Sequence, residues 1–339
     1  MTNRKGFETK ELRERVGNQA QLVRVDSFIE DEGLARGTRR VRLVNGGGLE
    51  IEVHPDRCLD IGRVSFDGIP VAWISPVGPI NPLFAEHSGN GWLRTFSGGL
   101  LATCGLDTFG PPSVDGSHEY GLHGRIGTLP ATITSKTSSF DEVSISGAIS
   151  QTDVFGENLL LERNISSKAF SSAFTIKDKV TNLGSNPITH LILYHFNLGW
   201  PLIDDNTILE IPALQRSANN KKSNVEDFAQ FTKPIKNAKE EVFLHHRDLS
   251  VVDSAKIRNE ALGLELIVRV KSQTLPFIFQ WKMLADQNYV LGIEPANFPV
   301  ITGRADAVDS GNVPLLNPGE SVDYLLELEF RRFSGTSTL

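Results

Sequence analysis

Short runs of strand-forming residues recur along most of the chain, and this pattern constrains the fold more than any other feature. In residues 49–54, apolar Leu, Ile and Val alternate with Glu, Glu and His, which is the period-two pattern of a half-buried strand. Clusters of Gly, Pro, Asn, Asp and Ser, which favour turns, separate such runs. Many short strands with few helices between them predict an all-β sandwich or barrel and argue against a parallel α/β sheet. The runs predict strands near 62–74, 99–104, 142–150, 157–166, 172–182, 187–195, 207–214, 241–250, 262–271, 275–284, 288–294 and 321–332.

The chain of 339 residues is long for one domain, but all-β sandwiches often exceed the usual domain size as a single unit. Residues 8–20 form the best helix candidate, so we predict an N-terminal helical appendage over 1–20 and a single β-sandwich domain over 21–339. The polar stretch 217–240 is predicted to be a surface excursion within that domain. The Asn-Gly-Gly-Gly sequence at 45–48 lacks the Lys-Ser/Thr of a phosphate-binding loop and predicts a hairpin turn.

Composition excludes several classes of protein. The net charge is -7, and acidic and basic residues are interspersed, which argues against a nucleic-acid partner. The basic run at 36–42 predicts a strand whose charges face solvent or pair with acidic neighbours. Cys58 and Cys104 resemble neither a metal knuckle nor a redox pair, so we expect buried free thiols. With no secretory signal and no run of roughly 20 apolar residues, we expect a cytoplasmic protein without a membrane partner.

Three segments place a proton-carrying side chain at a predicted turn or strand end. His195 lies in the strongly apolar run 191–202, His123 lies between glycines, and Glu294 follows Tyr-Val-Leu-Gly-Ile. A satisfied core histidine is the structural alternative for His195, and a structural turn histidine is the alternative for His123. A half-buried carboxylate is rare unless it is paired or functional, which favours a functional role for Glu294. Two histidines and a glutamate suit acid–base chemistry on a neutral polyol.

Taken together, three segments resemble the two histidine motifs and the glutamate motif of the aldose 1-epimerase (galactose mutarotase) superfamily, in the same order. They are Leu122-His123-Gly124, Tyr194-His195-Phe196-Asn197-Leu198 and Gly292-Ile293-Glu294-Pro295. The segments at 57–63, 91–94 and 98–107 resemble a divergent branch of that superfamily, the DUF4432 group. The resemblance extends over residues 35–333.

The resemblance implies a galactose mutarotase-like β-supersandwich with few short helices, an open cleft on a concave sheet face, and epimerisation at sugar C1 without a cofactor. By the same resemblance Glu294 is the general base and His195 the general acid, on opposite sides of the anomeric carbon. His123 is expected to hydrogen-bond near the ring oxygen and to help hold charge. Such a pair can deprotonate the C1 hydroxyl and protonate the ring oxygen within one site.

Five further residues are candidates for binding the substrate. Arg94 is the best match to the superfamily's substrate-binding arginine, and Arg125 adds a second cation after the first histidine. Trp281 offers a stacking face, and Lys282 alternates with it on a predicted strand, although a core tryptophan and a solvent-exposed lysine are an equal alternative. Asp107 is one candidate for the superfamily's sugar-binding aspartate.

Departures from the superfamily pattern bear on the substrate. Asp204 and Asp205 also compete for the role of the sugar-binding aspartate, and none of the candidates can be assigned. Tyr194 replaces the asparagine that usually precedes the second histidine, which predicts a substrate other than plain galactose. A negatively charged sugar is a further hypothesis, based on the two arginines.

Two alternatives remain open. The same two histidines and glutamate could bind iron or zinc, but the chain has no local histidine pair of the kind many metal sites use. His245 and His246 are adjacent, so their side chains would face opposite sides of a strand. The second alternative is a non-catalytic carbohydrate-binding or regulatory protein on the same scaffold. We expect a mutarotase-like isomerase with a small carbohydrate ligand, no cofactor and no metal, as a monomer or homodimer.

Overall fold

The computed structural model describes residues 9–218 and 224–333, which form two large antiparallel sheets and very little helix. The helical elements are α1 (Thr9–Arg15), α2 (Arg304–Asp309) and the 3-10 turns Gln19–Gln21, Gly33–Ala35, Pro82–Phe84, Gly91–Arg94, Ile126–Thr128 and Val225–Ala229. The strands are β1 (Arg24–Ile29), β2 (Arg39–Val44), β3 (Leu49–His54), β4 (Asp60–Phe66), β5 (Ile69–Pro70), β6 (Leu101–Leu106), β7 (Ser113–Asp115), β8 (His118–Tyr120), β9 (Thr132–Ser138), β10 (Glu142–Thr152), β11 (Asn158–Lys168), β12 (Ala173–Asn182), β13 (Ile188–Thr189), β14 (Leu191–Gly199), β15 (Ile208–Glu210), β16 (Ala213–Ala218), β17 (Glu241–Arg247), β18 (Ala255–Asn259), β19 (Leu264–Val270), β20 (Phe277–Ala285), β21 (Asn288–Ala296), β22 (Leu315–Leu316) and β23 (Ser321–Arg332).

The larger sheet has the strand order β1-β2-β3-β4-β6-β14-β21-β20-β17-β16, with β5 paired to β4. The smaller sheet has the order β15-β18-β19-β23-β12-β11-β10-β9. Alternate residues of facing strands form the main core between the sheets; in β14 these are Ile192, Tyr194, Phe196 and Leu198. The opposite face of β14 carries His195, so this strand contributes to the core with one face and to the site with the other.

The prediction of an all-β sandwich with few short helices is confirmed. Each of the twelve predicted runs contains a strand, and residues 45–48 form the turn between β2 and β3. The prediction missed β1, β7, β8, β9, β18 and β22. Two of these, β1 and β9, are edge strands with few buried residues, and such strands carry little of the apolar alternation that a sequence pattern detects. Cys58 and Cys104 are free and buried, as expected.

The predicted surface excursion at 217–240 is in part packed against the body. Residues 219–223 lie outside the described part, but the 3-10 turn at Val225–Ala229 brings Phe228 and Phe231 against the main core. Gln280 donates a hydrogen bond of 2.7 Å to the Phe228 carbonyl. Two aromatic side chains within an otherwise polar stretch are the physical reason that it folds back.

The N-terminal prediction is only partly covered by the structure. Residue 8 lies outside the described residues, and α1 occupies the first half of the predicted helix. Leu12 of α1 is buried in the main core, so this helix is held by at least one apolar contact. The division of the chain at residue 20 stays a prediction. No helix in the described ranges is long and apolar enough to span a bilayer.

Candidate functional site

Two neighbouring strands of the larger sheet bring His195 and Glu294 into contact. In the antiparallel pairing of β14 with β21, Leu193 lies opposite Ala296 and Phe196 opposite Ile293, which places His195 across from Glu294. The distance between His195 Nε2 and Glu294 Oε1 is 3.1 Å, and both side chains are buried. Residues almost 100 positions apart in the chain therefore form one acid–base pair.

Gly292 provides the space for this pair. A Cβ atom at position 292 would lie 2.5 Å from Glu294 Oε1 and 3.4 Å from His195 Cε1. Because alternate residues of a strand share a face, Gly292 and Glu294 point to the same side of β21. Sequence reasoning included Gly292 in a motif without assigning it a role. The signal was a glycine inside an apolar strand, which often marks close approach of another group.

His123 reaches the same site from a loop. Its backbone has a φ of 59°, and its amide donates a hydrogen bond of 2.9 Å to the Gly110 carbonyl. The Gly110 amide donates to His123 Nδ1 at 3.3 Å. At Gly124 a Cβ atom would lie 2.6 Å from the Gly105 carbonyl oxygen, so this turn requires glycine. The His123 and His195 rings are 5.8 Å apart between centroids, and the predicted trio converges.

Four aromatic side chains line the cleft around these groups. Trp92 stacks on Phe96 at 4.1 Å, Trp73 lies 6.0 Å from Trp281, and the Trp281 ring lies 5.5 Å from the His195 ring. The cleft has a volume of about 680 Å³, within the usual range for small-molecule sites. Its other polar lining residues are Ser75, Asn90, Glu240 and Asn288.

Burial controls the protonation of the trio. It lowers the pKa of His123 to about 4 and that of His195 to about 3, and the neighbouring His123 lowers the latter further. Burial also raises the pKa of Glu294 well above 4.5, and the nearby charge of Glu240 acts in the same direction. At neutral pH both imidazoles are therefore uncharged, and Glu294 keeps its proton to a higher pH than an exposed glutamate.

Two polar atoms of the pair have no hydrogen-bond partner. His195 Nδ1 and Glu294 Oε1 are both buried and make no hydrogen bond, and the 3.1 Å contact between His195 Nε2 and Glu294 Oε1 is not one by its geometry. Buried polar groups are nearly always satisfied, and those left unsatisfied often mark a place for a ligand. Within the described ranges, no group of three or more His, Cys, Asp or Glu side chains is arranged to hold a metal ion.

Of the five predicted substrate-binding residues, only Trp281 lines the cleft, where its Nε1 donates a hydrogen bond of 2.9 Å to Glu240. The prediction for Lys282 is corrected, because the next residue of a strand faces the other side. Lys282 Nζ is buried and donates to the Asp227 and Gln230 carbonyl oxygens at 2.7 and 3.1 Å.

The predictions for Arg94, Arg125 and Asp107 are also corrected. Arg94 is 75% exposed, pairs with Glu86 at 2.9 Å and does not line the cleft. Arg125 and Asp107 line a separate pocket. Arg125 donates a hydrogen bond to Glu157, and Asp107 accepts one from Gln151; both partners are distant in the sequence. The lining of the cleft includes no lysine or arginine from the residues that the structure describes. Asp204 and Asp205 are likewise outside it.

Sequence reasoning missed most of the cleft wall. Trp73 and Phe96 had no assigned role, and Trp92 appeared only within a motif. The spacing of Trp92 and Phe96, four residues apart, was the one available signal for an aromatic pair. Glu240 lies at the end of the stretch predicted to be a surface excursion, and nothing in its local sequence indicates a position in the cleft.

Comparisons with known proteins agree with this fold. The family model of DUF4432, a domain of unknown function, matches residues 35–330. No curated protein matches the chain. A solved structure from Klebsiella pneumoniae, named as a candidate aldose 1-epimerase, is 25% identical with a TM-score of 0.81, covering 91% of this chain and 84% of that one.

Two more distant structures share the fold. A galactose mutarotase-like protein from Clostridium acetobutylicum is 14% identical with a TM-score of 0.68, covering 92% of this chain and 100% of that one. Galactose 1-epimerase from Lactobacillus acidophilus is 13% identical with a TM-score of 0.60, covering 91% of this chain and 99% of that one.

Proposed function

Because this chain belongs to the DUF4432 family, a divergent branch of the galactose mutarotase superfamily, we propose that it interconverts the α and β anomers of a sugar by acid–base ring opening. The observation that carries the proposal is the 3.1 Å contact between His195 Nε2 and Glu294 Oε1 in an aromatic cleft. A fold does not determine function by itself. A buried acid–base pair with perturbed pKa values in a ligand-sized cleft is a more specific indication.

The reaction needs one acid and one base. In a cyclic aldose, C1 carries both a hydroxyl oxygen and the ring oxygen. Ring opening removes the proton of the C1 hydroxyl, delivers a proton to the ring oxygen and breaks the bond between C1 and that oxygen, which leaves a carbonyl. After rotation about the C1–C2 bond, the ring hydroxyl adds to the other face and both proton transfers reverse. No atom is gained or lost.

The arrangement of the two groups suits this chemistry. They are in contact with one another, whereas the resemblance implied opposite sides of the anomeric carbon. Both reacting oxygens are bonded to C1, so two neighbouring side chains can exchange protons with both oxygens. Glu294 would take the proton of the C1 hydroxyl, and His195 would protonate the ring oxygen. His123, whose ring lies 5.8 Å from that of His195, would hydrogen-bond to the ring oxygen or to a neighbouring hydroxyl.

Besides the N–H of the neutral imidazole, the pair of His195 and Glu294 must hold one transferable proton. Burial raises the pKa of Glu294 and lowers that of His195 to about 3, so in the empty site this proton lies on Glu294. The proposed roles therefore require the proton to move to His195 as the C1 hydroxyl begins to hydrogen-bond to the Glu294 carboxylate. The reversed roles need the same number of protons, and the pH dependence of the rate consequently belongs to the pair.

The cleft favours an uncharged sugar. With Arg94 and Arg125 outside it, the cleft has no cation among its described lining residues to receive a carboxylate or phosphate. The Glu240 side chain would repel such a group instead. The faces of Trp92 and Trp281 suit the apolar side of a pyranose ring. We therefore prefer a neutral aldose over the negatively charged sugar suggested by the two arginines.

The test is the relaxation of freshly dissolved pure anomers, followed by polarimetry or saturation-transfer NMR. Tyr194 packs in the core and does not line the cleft, so its replacement of the usual asparagine does not argue against galactose. Neutral aldoses such as D-galactose and D-glucose should relax faster with the protein than without it, and D-glucuronate should respond less. Glu294→Gln should reduce the acceleration by about 10²–10⁴-fold, because it removes the base while preserving shape. His195→Asn should have a similar effect.

Arg94→Ala is the matched control, because its side chain is exposed and outside the cleft; its rate should stay within about twofold. Exhaustive chelation should also leave the rate unchanged. Saturable sugar binding without any acceleration would replace the proposal with the non-catalytic carbohydrate-binding alternative. An unchanged rate in Glu294→Gln would contradict the proposed base.

A further inference from the structure

A second pocket lies behind the loop that carries His123. It has a volume of about 320 Å³ and is separated from the cleft by residues 107–111 and 121–125. Each of these two stretches contributes residues to both cavities. The stretches are joined by the hydrogen bond of 2.9 Å from the His123 amide to the Gly110 carbonyl. The two predicted substrate-binding residues Asp107 and Arg125 both line this second pocket.

The pocket contains a buried polar group that makes no hydrogen bond within the protein. Thr108 lines it with a side chain that is 1% exposed, and its hydroxyl oxygen has no hydrogen-bond partner. Beside it, the buried carboxyl of Asp107 accepts a hydrogen bond of 2.9 Å from Gln151 Nε2. Burial raises the pKa of Asp107, and the charge of Glu157 raises it further. An unpartnered buried hydroxyl next to a buried carboxyl is costly unless a ligand completes it.

The cations of the pocket are already neutralised. Arg125 Nη2 donates to Glu157 Oε1 at 2.6 Å and to the Thr152 carbonyl at the same distance. Arg304 Nε donates to Asp115 at 2.9 Å, and its guanidinium lies 4.7 Å from the centre of the Tyr120 ring. These ion pairs hold N–H donors in place at the pocket without leaving a free positive charge for an anion.

We propose that this second pocket binds a neutral polyhydroxylated molecule of about the size of one sugar unit. The Asp107 carboxyl, the Thr108 hydroxyl and the phenol of Tyr120 supply acceptors and donors for neighbouring hydroxyl groups. Phe155, which is 99% exposed, lines the same pocket and offers an apolar face. The volume is at the lower end of the usual range for small-molecule sites. The occupant would touch the loop that positions His123.

Fluorine NMR of protein labelled with 3-fluorotyrosine tests binding directly. The chain has four tyrosines, and of these only Tyr120 is among the residues lining this pocket. Titration with D-galactose should shift the Tyr120 resonance, assigned with Tyr120→Phe, in a saturable manner. Thr108→Val and Asp107→Asn should each weaken this binding at least tenfold. The unchanged resonances of the buried Tyr194 and Tyr324 would show that both variants are folded.

Two controls separate this pocket from the cleft. Glu294→Gln changes the cleft alone and should leave the Tyr120 titration unaltered, and Arg94→Ala changes an exposed charge that lines neither cavity and should do the same. The proposal is overturned if Tyr120 does not respond to D-galactose, or if both pocket variants bind as the unmodified protein does. Tighter binding of D-galactosamine or D-glucuronate would replace a neutral ligand with a charged one. None of these readouts depends on anomer exchange in the cleft.

Discussion

Tyr194 and His195 are consecutive residues of β14, and their side chains enter two contrasting environments. The Tyr194 hydroxyl donates a hydrogen bond of 2.8 Å to Asp178 between the sheets. There Arg163, fully buried, donates to Asp178 at 2.6 and 2.9 Å and to Asp60 at 3.0 Å. On the other face of the strand, His195 Nδ1 has no partner at all.

The two groups of buried polar side chains differ in how completely their hydrogen bonds are satisfied. In the inter-sheet network each charged side chain meets an opposite charge and additional hydrogen bonds; Asp60, for example, also accepts from the Thr103 amide and hydroxyl at 2.9 and 2.6 Å. Such a network can be buried at tolerable cost and ties the two sheets together. The pair His195–Glu294 is equally buried but leaves hydrogen-bonding atoms free. The first arrangement serves stability, and the second is suited to a ligand.

Acid should lower the free energy of unfolding through the buried histidines, whether or not their side chains are hydrogen-bonded. Burial lowers the pKa of His190 to about 4 and that of His195 to about 3, whereas both titrate near 6.5 in the unfolded chain. Their contribution to the free energy of unfolding is therefore complete above pH 6.5 and is lost as the pH falls towards 4. At pH 5 each of these two histidines should lower the free energy of unfolding by roughly 2 kcal/mol relative to pH 7. Three other buried histidines have a pKa lowered to about 4: His54, His123 and His245.

Urea unfolding of His190→Gln and His195→Gln at pH 7 and pH 5 checks this prediction. His190 bonds to the Leu106 carbonyl and the Tyr324 hydroxyl at 2.9 and 2.8 Å, so its replacement should cost about 1–3 kcal/mol at pH 7. His195→Gln should be nearly neutral at pH 7 and more stable than the unmodified protein at pH 5. Equal effects of His195→Gln at the two pH values would argue against a buried neutral imidazole.

Asp178→Asn and Glu294→Gln form the second comparison, because each replaces one buried carboxyl by an amide. Asp178→Asn leaves the buried Arg163 guanidinium with Asp60 as its remaining charged partner and should cost about 3–5 kcal/mol in free energy of unfolding. Glu294→Gln removes a group without a hydrogen-bond partner and should change stability by less than about 1 kcal/mol, while abolishing most of the anomer exchange. Similar losses of stability in both variants would contradict the comparison.

Gly292→Ala is the subtlest test. The added Cβ would push the Glu294 carboxyl away from His195 without introducing or removing a charge. A displacement of about 1 Å at a reacting group can reduce a rate by about 10²-fold. We expect a loss of 10- to 100-fold in anomer exchange with little change in the urea midpoint. Gly17→Ala is the control, since a Cβ there meets nothing within 4 Å, and its rate should not change.

The sequence by itself determined the β architecture and the candidate trio of His123, His195 and Glu294. Alternation with a period of two, interrupted by turn residues, is a local property, so it identified most of the interior strands and the 45–48 hairpin. The motifs around His123, His195 and Glu294 are also local. Strand β14 shows the limit of such patterns, because all nine of its residues are buried and no alternation distinguishes the face of Tyr194 from that of His195.

Only the tertiary structure decided which side chains surround the trio. Arg94, Arg125 and Lys282 were plausible ligands for a sugar, but each lies beside acceptors that the fold brings to it: Glu86, Glu157 and the carbonyls of 227 and 230. A long cationic side chain binds an acceptor that is close in space, and the local sequence around the cation does not identify that acceptor. The aromatic cleft wall and the second pocket likewise combine residues from distant strands and loops, which sequence spacing does not encode.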